Sequence, residues 1–136
     1  MLVIDTNIIS YLYFPTAYTQ YSEALLKLDS SWAAPILWRS EFRNILALYL
    51  RKEVIDLAVA MDIQAQAEML MARNEFEMNS SKVLILAQSS GCSAYDCEFI
   101  SLAQTFNMRL ITTDKKLIKA FPKRAISAKA YVEENC

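Results

Sequence analysis

Apolar residues in this chain fall into two kinds of run. The first is brief and unbroken: Leu2-Val3-Ile4, Trp32-Ala33-Ala34 and Leu110-Ile111. Each is too short for a helix, and each reads as a buried strand. The second kind recurs at three- and four-residue spacing. It predicts helices over 6–13, with Thr6 or Asn7 as cap and Pro15 closing the segment, and over 18–29, where Tyr18, Tyr21, Leu25 and Leu28 share a face. A helix over 36–52 carries Leu37, Glu41, Ile45 and Leu48 on one side. A longer amphipathic helix is expected over 55–76 and another over 80–89, with Gly91 turning the chain into a helix over 93–107. Arg109–Thr112 reads as strand and 114–121 as the last firm helix before Pro122, followed by a short Ala-Ile strand and a terminal helical turn. Short strands alternating with many helices predict a small α/β sandwich on a parallel sheet. With no linker, repeat or low-complexity stretch, residues 1–136 are expected to form one domain.

Four acids interrupt this pattern where a globular sequence avoids charge. Asp5 follows Leu2-Val3-Ile4, Glu41 lies on an apolar helix stripe, and Asp114 closely follows Leu110-Ile111. The fourth, Asp96, stands three residues after Ser93, which also fits a capping box. Asp5 and Asp114 fit helix N-caps equally well. Glu41 is harder to dismiss, because a carboxylate held against apolar surroundings costs several kcal/mol unless paired or bound to metal. Arg39 and Arg43 lie two residues away and so off its helix face. Strands that end at an acid describe the carboxyl edge of a parallel sheet, where ligands bind. Carboxylates gathered there call for a hard cation such as Mg²⁺ or Mn²⁺.

Composition removes much of the alternative chemistry. The chain has no histidine and one glycine, which excludes a His-dependent triad, the HExxH zinc site, the Walker A loop and the dinucleotide fingerprint. Its cysteines, Cys92, Cys97 and Cys136, form no CxxC pair, and a reduced cytoplasmic setting is expected. The apolar fraction is 54%, yet no run approaches the ~18 residues of a membrane span, and the start lacks the basic region of a signal peptide. Net charge is −1, without the global basic excess of an obvious nucleic-acid binder, which counts mildly against a polyanionic substrate, though divalent cations in a site would partly offset it. Lys115, Lys116 and Lys119 beside Asp114, with Lys123 and Arg124 beyond, are candidates to grip phosphates; so are Arg39 and Arg43 near Glu41. A solvated helix face explains the lysines as well.

The local dressing of the four acids resembles a known family. Leu-Val-Ile-Asp5-Thr6-Asn7, Ser40-Glu41 with Asn44-Ile45-Leu46, Cys92-Ser-Ala-Tyr-Asp96-Cys-Glu-Phe99-Ile-Ser-Leu-Ala103 and Leu110-Ile-Thr112-Thr113-Asp114-Lys-Lys-Leu117 are similar, in this order, to the acidic motifs of PIN-domain ribonucleases. Within that family the resemblance is to the VapC-type toxins of type II toxin–antitoxin systems. Cys97 and Glu98 depart from the small and variable residues common there, and 52–90 matches only in being helical. Glu98, two residues past Asp96, is expected to face solvent and at most touch the rim.

The resemblance implies a three-layer sandwich with a short, mostly parallel central sheet. It implies metal-dependent endoribonuclease activity on a structured RNA, often a transfer RNA. Asp5, Asp96 and Asp114 would hold one or two Mg²⁺ or Mn²⁺ ions and Glu41 would complete the catalytic set, with Thr112, Thr113 and Asn7 supporting the ligating carboxylates. The ion would acidify a bound water and polarise the phosphoryl oxygen. A cognate antitoxin protein and a homodimer are the implied partners. Tyr11, Tyr13, Phe14, Tyr18 and Tyr21, too many for one small core, are expected to supply that interface, with base stacking as a lesser role. Two rivals stand beside this reading: a PIN module that binds without turnover, and a haloacid-dehalogenase-like phosphatase. The phosphatase needs a second Asp where Asn7 stands.

Overall fold

A computed structural model describes residues 1–136. Its centre is a sheet of five strands, every pair parallel: β1 (Leu2–Ile4), β2 (Trp32–Pro35), β3 (Glu75–Phe76), β4 (Leu110–Thr112) and β5 (Ala125–Ser127). The order is β3-β2-β1-β4-β5. From β1 the chain first builds outward on one side through β2 and β3, then returns to lay β4 against the other side of β1. The direction of winding therefore reverses between β1 and β4, and a crevice opens at the carboxyl ends of strands where that happens.

Eight helices surround the sheet: α1 (Thr6–Tyr13), α2 (Thr19–Leu28), α3 (Trp38–Arg51), α4 (Leu57–Met71), α5 (Ser80–Ser90), α6 (Ala94–Thr105), α7 (Lys115–Ala120) and α8 (Ala128–Asn135). Right-handed crossovers put α5 and α6, which carry the chain from β3 back to β4, on the face opposite α1 and α2. There α6 packs across β1, β2 and β4, while α2 and α8 pack together on the other side. β1, β2 and β4 are buried along their whole length, as strands covered on both faces require, while β3 at the edge is half-buried. The expected three-layer α/β sandwich is the architecture found.

Three expectations change. The helix foreseen over 55–76 stops at Met71, and Glu75–Phe76 forms the edge strand β3. The buried stripe of α3 is Trp38, Phe42 and Leu46, whereas Leu48 is exposed and Leu37 and Ile45 only half-buried. Glu41 therefore sits on the flank of α3, beside the core rather than facing it. Finally, most of the early aromatics are absorbed within the chain. Phe14 stacks on Tyr49 at 4.2 Å, Tyr13 meets Phe42 edge-on at 6.0 Å, and Tyr11 stacks on Tyr18. Of the five, only Tyr18 is strongly exposed.

Candidate active site

Asp5 leaves β1 in extended conformation and caps α1, its Oδ1 accepting the Thr6 backbone N–H at 2.8 Å. Asp114 does the same for α7, accepting the N–H groups of Lys116 (2.9 Å) and Leu117 (3.2 Å). Both are the caps that their sequence context suggests; for α1 the cap is Asp5, not Thr6 or Asn7. Capping does not remove them from the site. The register pairs Ile4 with Ile111, so both strands end side by side at the reversal point. The Thr112 hydroxyl links them, donating to Asp5 Oδ2 at 2.7 Å and accepting the Asp114 N–H at 3.0 Å.

The other two acids come from helices. Asp96 lies in the first turn of α6, its backbone N–H bound by the Ser93 hydroxyl at 3.1 Å. Glu41 lies in the first turn of α3 and accepts a 2.6 Å bond from the Thr6 hydroxyl. Asp5, Glu41, Asp96 and Asp114 together line one cleft of about 250 Å³, with Thr6, Asn7, Asn44 and a single apolar side chain, Ile45. None of the four is ion-paired with a Lys or Arg.

Burial and mutual charge show in the acidities. Asp5, 8% exposed, is pushed up to about 6, chiefly by burial and further by the charges of Asp96 and Asp114, against the hydrogen bonds of Thr112 and Thr6. Burial also raises Glu41, helped by the charges of Asp5, Asp96 and Glu98. Asp96 is raised by burial and by Asp114, with Lys116 pulling the other way. Three carboxyls held above their ordinary range in an all-oxygen cleft suit a hard divalent cation. No three of these acids stand close enough to hold one ion between them, short of the convergence expected of Asp5, Asp96 and Asp114; carboxylates repel one another unless a cation lies between them.

The supporting residues divide. Thr112 holds Asp5, as expected. Thr113 does not hold a carboxylate: one residue on, it faces elsewhere, and its hydroxyl meets the Tyr11 hydroxyl at 2.9 Å. Asn7 lines the cleft but bonds to no acid. Glu98 is half-buried rather than solvent-facing, within the field of Glu41. Thr6 is the residue that sequence reasoning missed. It reads as a helix-start residue, yet its backbone holds Asp5 while its hydroxyl holds Glu41. Thr6→Val removes one bond to a charged group, worth roughly 1.5–3 kcal/mol. In any reaction that uses Glu41 it should slow the single-turnover rate about 10- to 100-fold, with Thr6→Ser close to wild type.

The arginines are placed away from the cleft. Arg39 is gripped by Glu75 at 2.6 and 2.7 Å and by Glu68 at 2.9 Å, tying α3 to β3 and α4. Arg43 lines an apolar groove between α3 and α4, with Leu46, Leu50, Ala60 and Met61. Arg39 is thereby committed to joining elements of the fold, while Arg43 is exposed and unpaired but does not line the acidic cleft. Lys115, Lys116 and Lys119 remain exposed beside Asp114. A larger cleft, about 390 Å³, lies at the amino edge of the sheet. Its Arg109 is ion-paired with Glu134 at 2.7 Å and its Arg124 is held by the Met108 carbonyl at 2.9 Å.

Residues 2–122 match the family described as PIN domain. The chain belongs to the PIN-domain family. This PIN protein is 25% identical over 134 residues to Ribonuclease VapC3 of Pyrobaculum aerophilum, covering 89% of this chain and 95% of that one. Its fold is similar to the crystal structure of PAE2754 from the same organism, with a TM-score of 0.76 at 22% identity, covering 98% and 97% of the two chains. The family resemblance drawn from the acidic motifs is borne out, and the phosphatase alternative falls with it.

Proposed function

We propose that this PIN protein is a divalent-cation-dependent endoribonuclease, the toxin of a VapC-type toxin–antitoxin pair. The observation that carries this reading is the cleft itself: four acids from four separate elements line one pocket, and no Lys or Arg neutralises them. Asp5, Asp96 and Asp114 would hold Mg²⁺ or Mn²⁺, and Glu41 would face the same ion. Such an ion supplies an activated water and charge stabilisation at the phosphoryl group. The chain's own residues orient the acids: Thr112 fixes Asp5, Thr6 fixes Glu41, and the α7 backbone fixes Asp114. Lys115, Lys116 and Lys119 are the candidates to hold RNA phosphates next to the cleft. A structured RNA such as a transfer RNA, cut in an exposed single-stranded loop, suits recognition by shape.

The partners inferred are an antitoxin and a second copy of the chain. The apolar surface that supports them is not on the early helices. Large apolar side chains more than 60% exposed stand instead on α4 (Leu57, Met61 and Met69) and on α5 (Leu84 and Ile85), where a protein partner would cover them. No helix of the chain is long and apolar enough to cross a membrane.

Purified protein, incubated with transfer RNA and single-stranded oligoribonucleotides, should cleave in Mg²⁺ or Mn²⁺ and stop when EDTA is added. Binding without cleavage in either metal would identify a PIN module that has lost turnover. Cleavage undiminished by EDTA would overturn the cation assignment.

A further inference from the structure

We propose that Tyr18, stacked on Tyr11 at the mouth of the acidic cleft, is a subsite for one unpaired nucleobase of the RNA, next to the bond that is cut. The proposal rests on the ribonuclease reading and adds to it a residue that selects the substrate.

The topology places Tyr18 at the correct edge. α2 ends at Asp29, which pairs with the amino group of Met1 at the amino edge of the sheet. α2 therefore starts toward the carboxyl edge, and Tyr18 is its N-terminal flanking residue. Two hydrogen bonds fix α1 antiparallel to it: Ser22 donates to the Ile8 carbonyl and Thr19 to the Tyr11 carbonyl, each at 2.7 Å. α1 begins at Asp5, so this pairing sets Tyr11 and Tyr18 together on the carboxyl side of the sheet, outside the cleft's own lining but with Tyr11 within the field of Asp5. The Tyr11 hydroxyl anchors the pair to Thr113, the neighbour of Asp114.

The local chemistry suits a base. The two ring centres lie 5.2 Å apart and the planes 29° from parallel, so Tyr11 backs one face of Tyr18, a residue 45% exposed. The turn is pinned before any ligand arrives. The Tyr18 N–H donates to the Thr16 hydroxyl at 3.0 Å, and the Thr16 N–H donates to the Thr19 hydroxyl at 3.0 Å. A ring already held in place needs little further ordering on binding. A protein partner is the weaker fit, because Tyr18 stands among Pro15, Thr16, Ala17, Thr19 and Gln20, while the apolar residues exposed by more than 60% lie elsewhere, on α4, α5 and α6 and at Val54. A single backed aromatic beside a phosphodiester-cutting cleft matches the stacking platforms that hold unpaired bases. Bases within a duplex would be excluded, since both their faces are already stacked.

The test uses the full chain carrying Asp5→Asn, which prevents turnover, and a single-stranded oligoribonucleotide with 2-aminopurine at successive positions. Tyr18→Ala should weaken binding about 5- to 100-fold and abolish 2-aminopurine quenching at one position; Tyr18→Phe should retain both. The slope of affinity against salt should not change, because no phosphate contact is lost. In the active protein the loss should fall on KM more than on kcat. Circular dichroism would check that the variants are folded. Equal affinity and quenching in Tyr18→Ala would overturn the subsite. So would an effect confined to self-association or to antitoxin capture, which would assign Tyr18 to a protein interface. If the unsubstituted protein neither binds nor cuts RNA, it is the ribonuclease reading that fails.

Discussion

Asp5→Asn should abolish RNA cleavage and at the same time raise the thermal stability of the cation-free protein at neutral pH. The first half follows from the cleft. Asp5 presents one oxygen to Thr6 and the other to Thr112, at the junction of β1 and β4, and its charge would be the deepest in any cation site there. Losing it should slow the reaction roughly 10³-fold or more, the equivalent of about 4 kcal/mol. The second half follows from its acidity. A carboxyl pushed up to about 6 by burial is ionised at pH 7 against its surroundings, and an amide is free of that penalty. The amide oxygen can still accept from Thr6, and the Thr112 hydroxyl can turn to accept from the amide nitrogen. Activity loss with a raised melting temperature separates a ligand from a structural residue, since a structural substitution lowers both. Asp5→Asn cleaving at the wild-type rate in Mg²⁺ would remove Asp5 from the site.

How much of this was legible in the sequence depended on how local each cause is. Asp5 and Asp114 could be read because an unbroken apolar run ending at an acid is a complete signal within a few residues. Cap and site stood as alternatives in the sequence, and the structure joins them, because capping engages only part of a carboxylate. α3 was harder. Leu37, Glu41, Ile45, Leu48 and Trp38, Phe42, Leu46 are two stripes one residue apart, both at helical spacing, and periodicity alone cannot rank them. The second wins because the indole and phenyl rings bury more apolar area than the aliphatic set. Glu41 is then left at the seam, where it can reach the cleft.

Other features have causes remote in sequence. β3 is two residues long, too short for alternation to appear. Its place comes from pairing with β2 and from Arg39, which reaches 36 residues along the chain to Glu75. That same contact removed Arg39 from the phosphate-binding candidates. Thr6 and Glu41 are 35 residues apart, and nothing in either segment announces their bond. The early aromatics looked surplus because their partners, Phe42 and Tyr49, lie on α3.

Without divalent cation, the protein should lose stability as pH rises from about 5 to 7, opposite to the trend set by ordinary ion-paired carboxylates. Asp5 has a folded value near 6 against an ordinary 3.8. A carboxyl raised on folding favours the folded state most fully below its unfolded value, and that advantage is lost as pH climbs through its folded value. The difference is about 3 kcal/mol at most for Asp5, and Glu41 and Asp96 are raised in the same direction. Asp29 is shifted downward, so its contribution is lost only at lower pH, outside this window. In EDTA, the melting temperature should therefore fall between pH 5 and 7, where a little under half of that difference is expressed, on the order of 5 °C for Asp5. The fall should flatten in Asp5→Asn. Mn²⁺ should restore the lost stability at pH 7.5 and do little at pH 5, where protons and cation compete for the same oxygens. Differential scanning calorimetry across this range, with and without Mn²⁺, measures both effects. A melting temperature that rises with pH in EDTA, or one that Mn²⁺ leaves unchanged at pH 7.5, would mean that the four acids do not share a cation site.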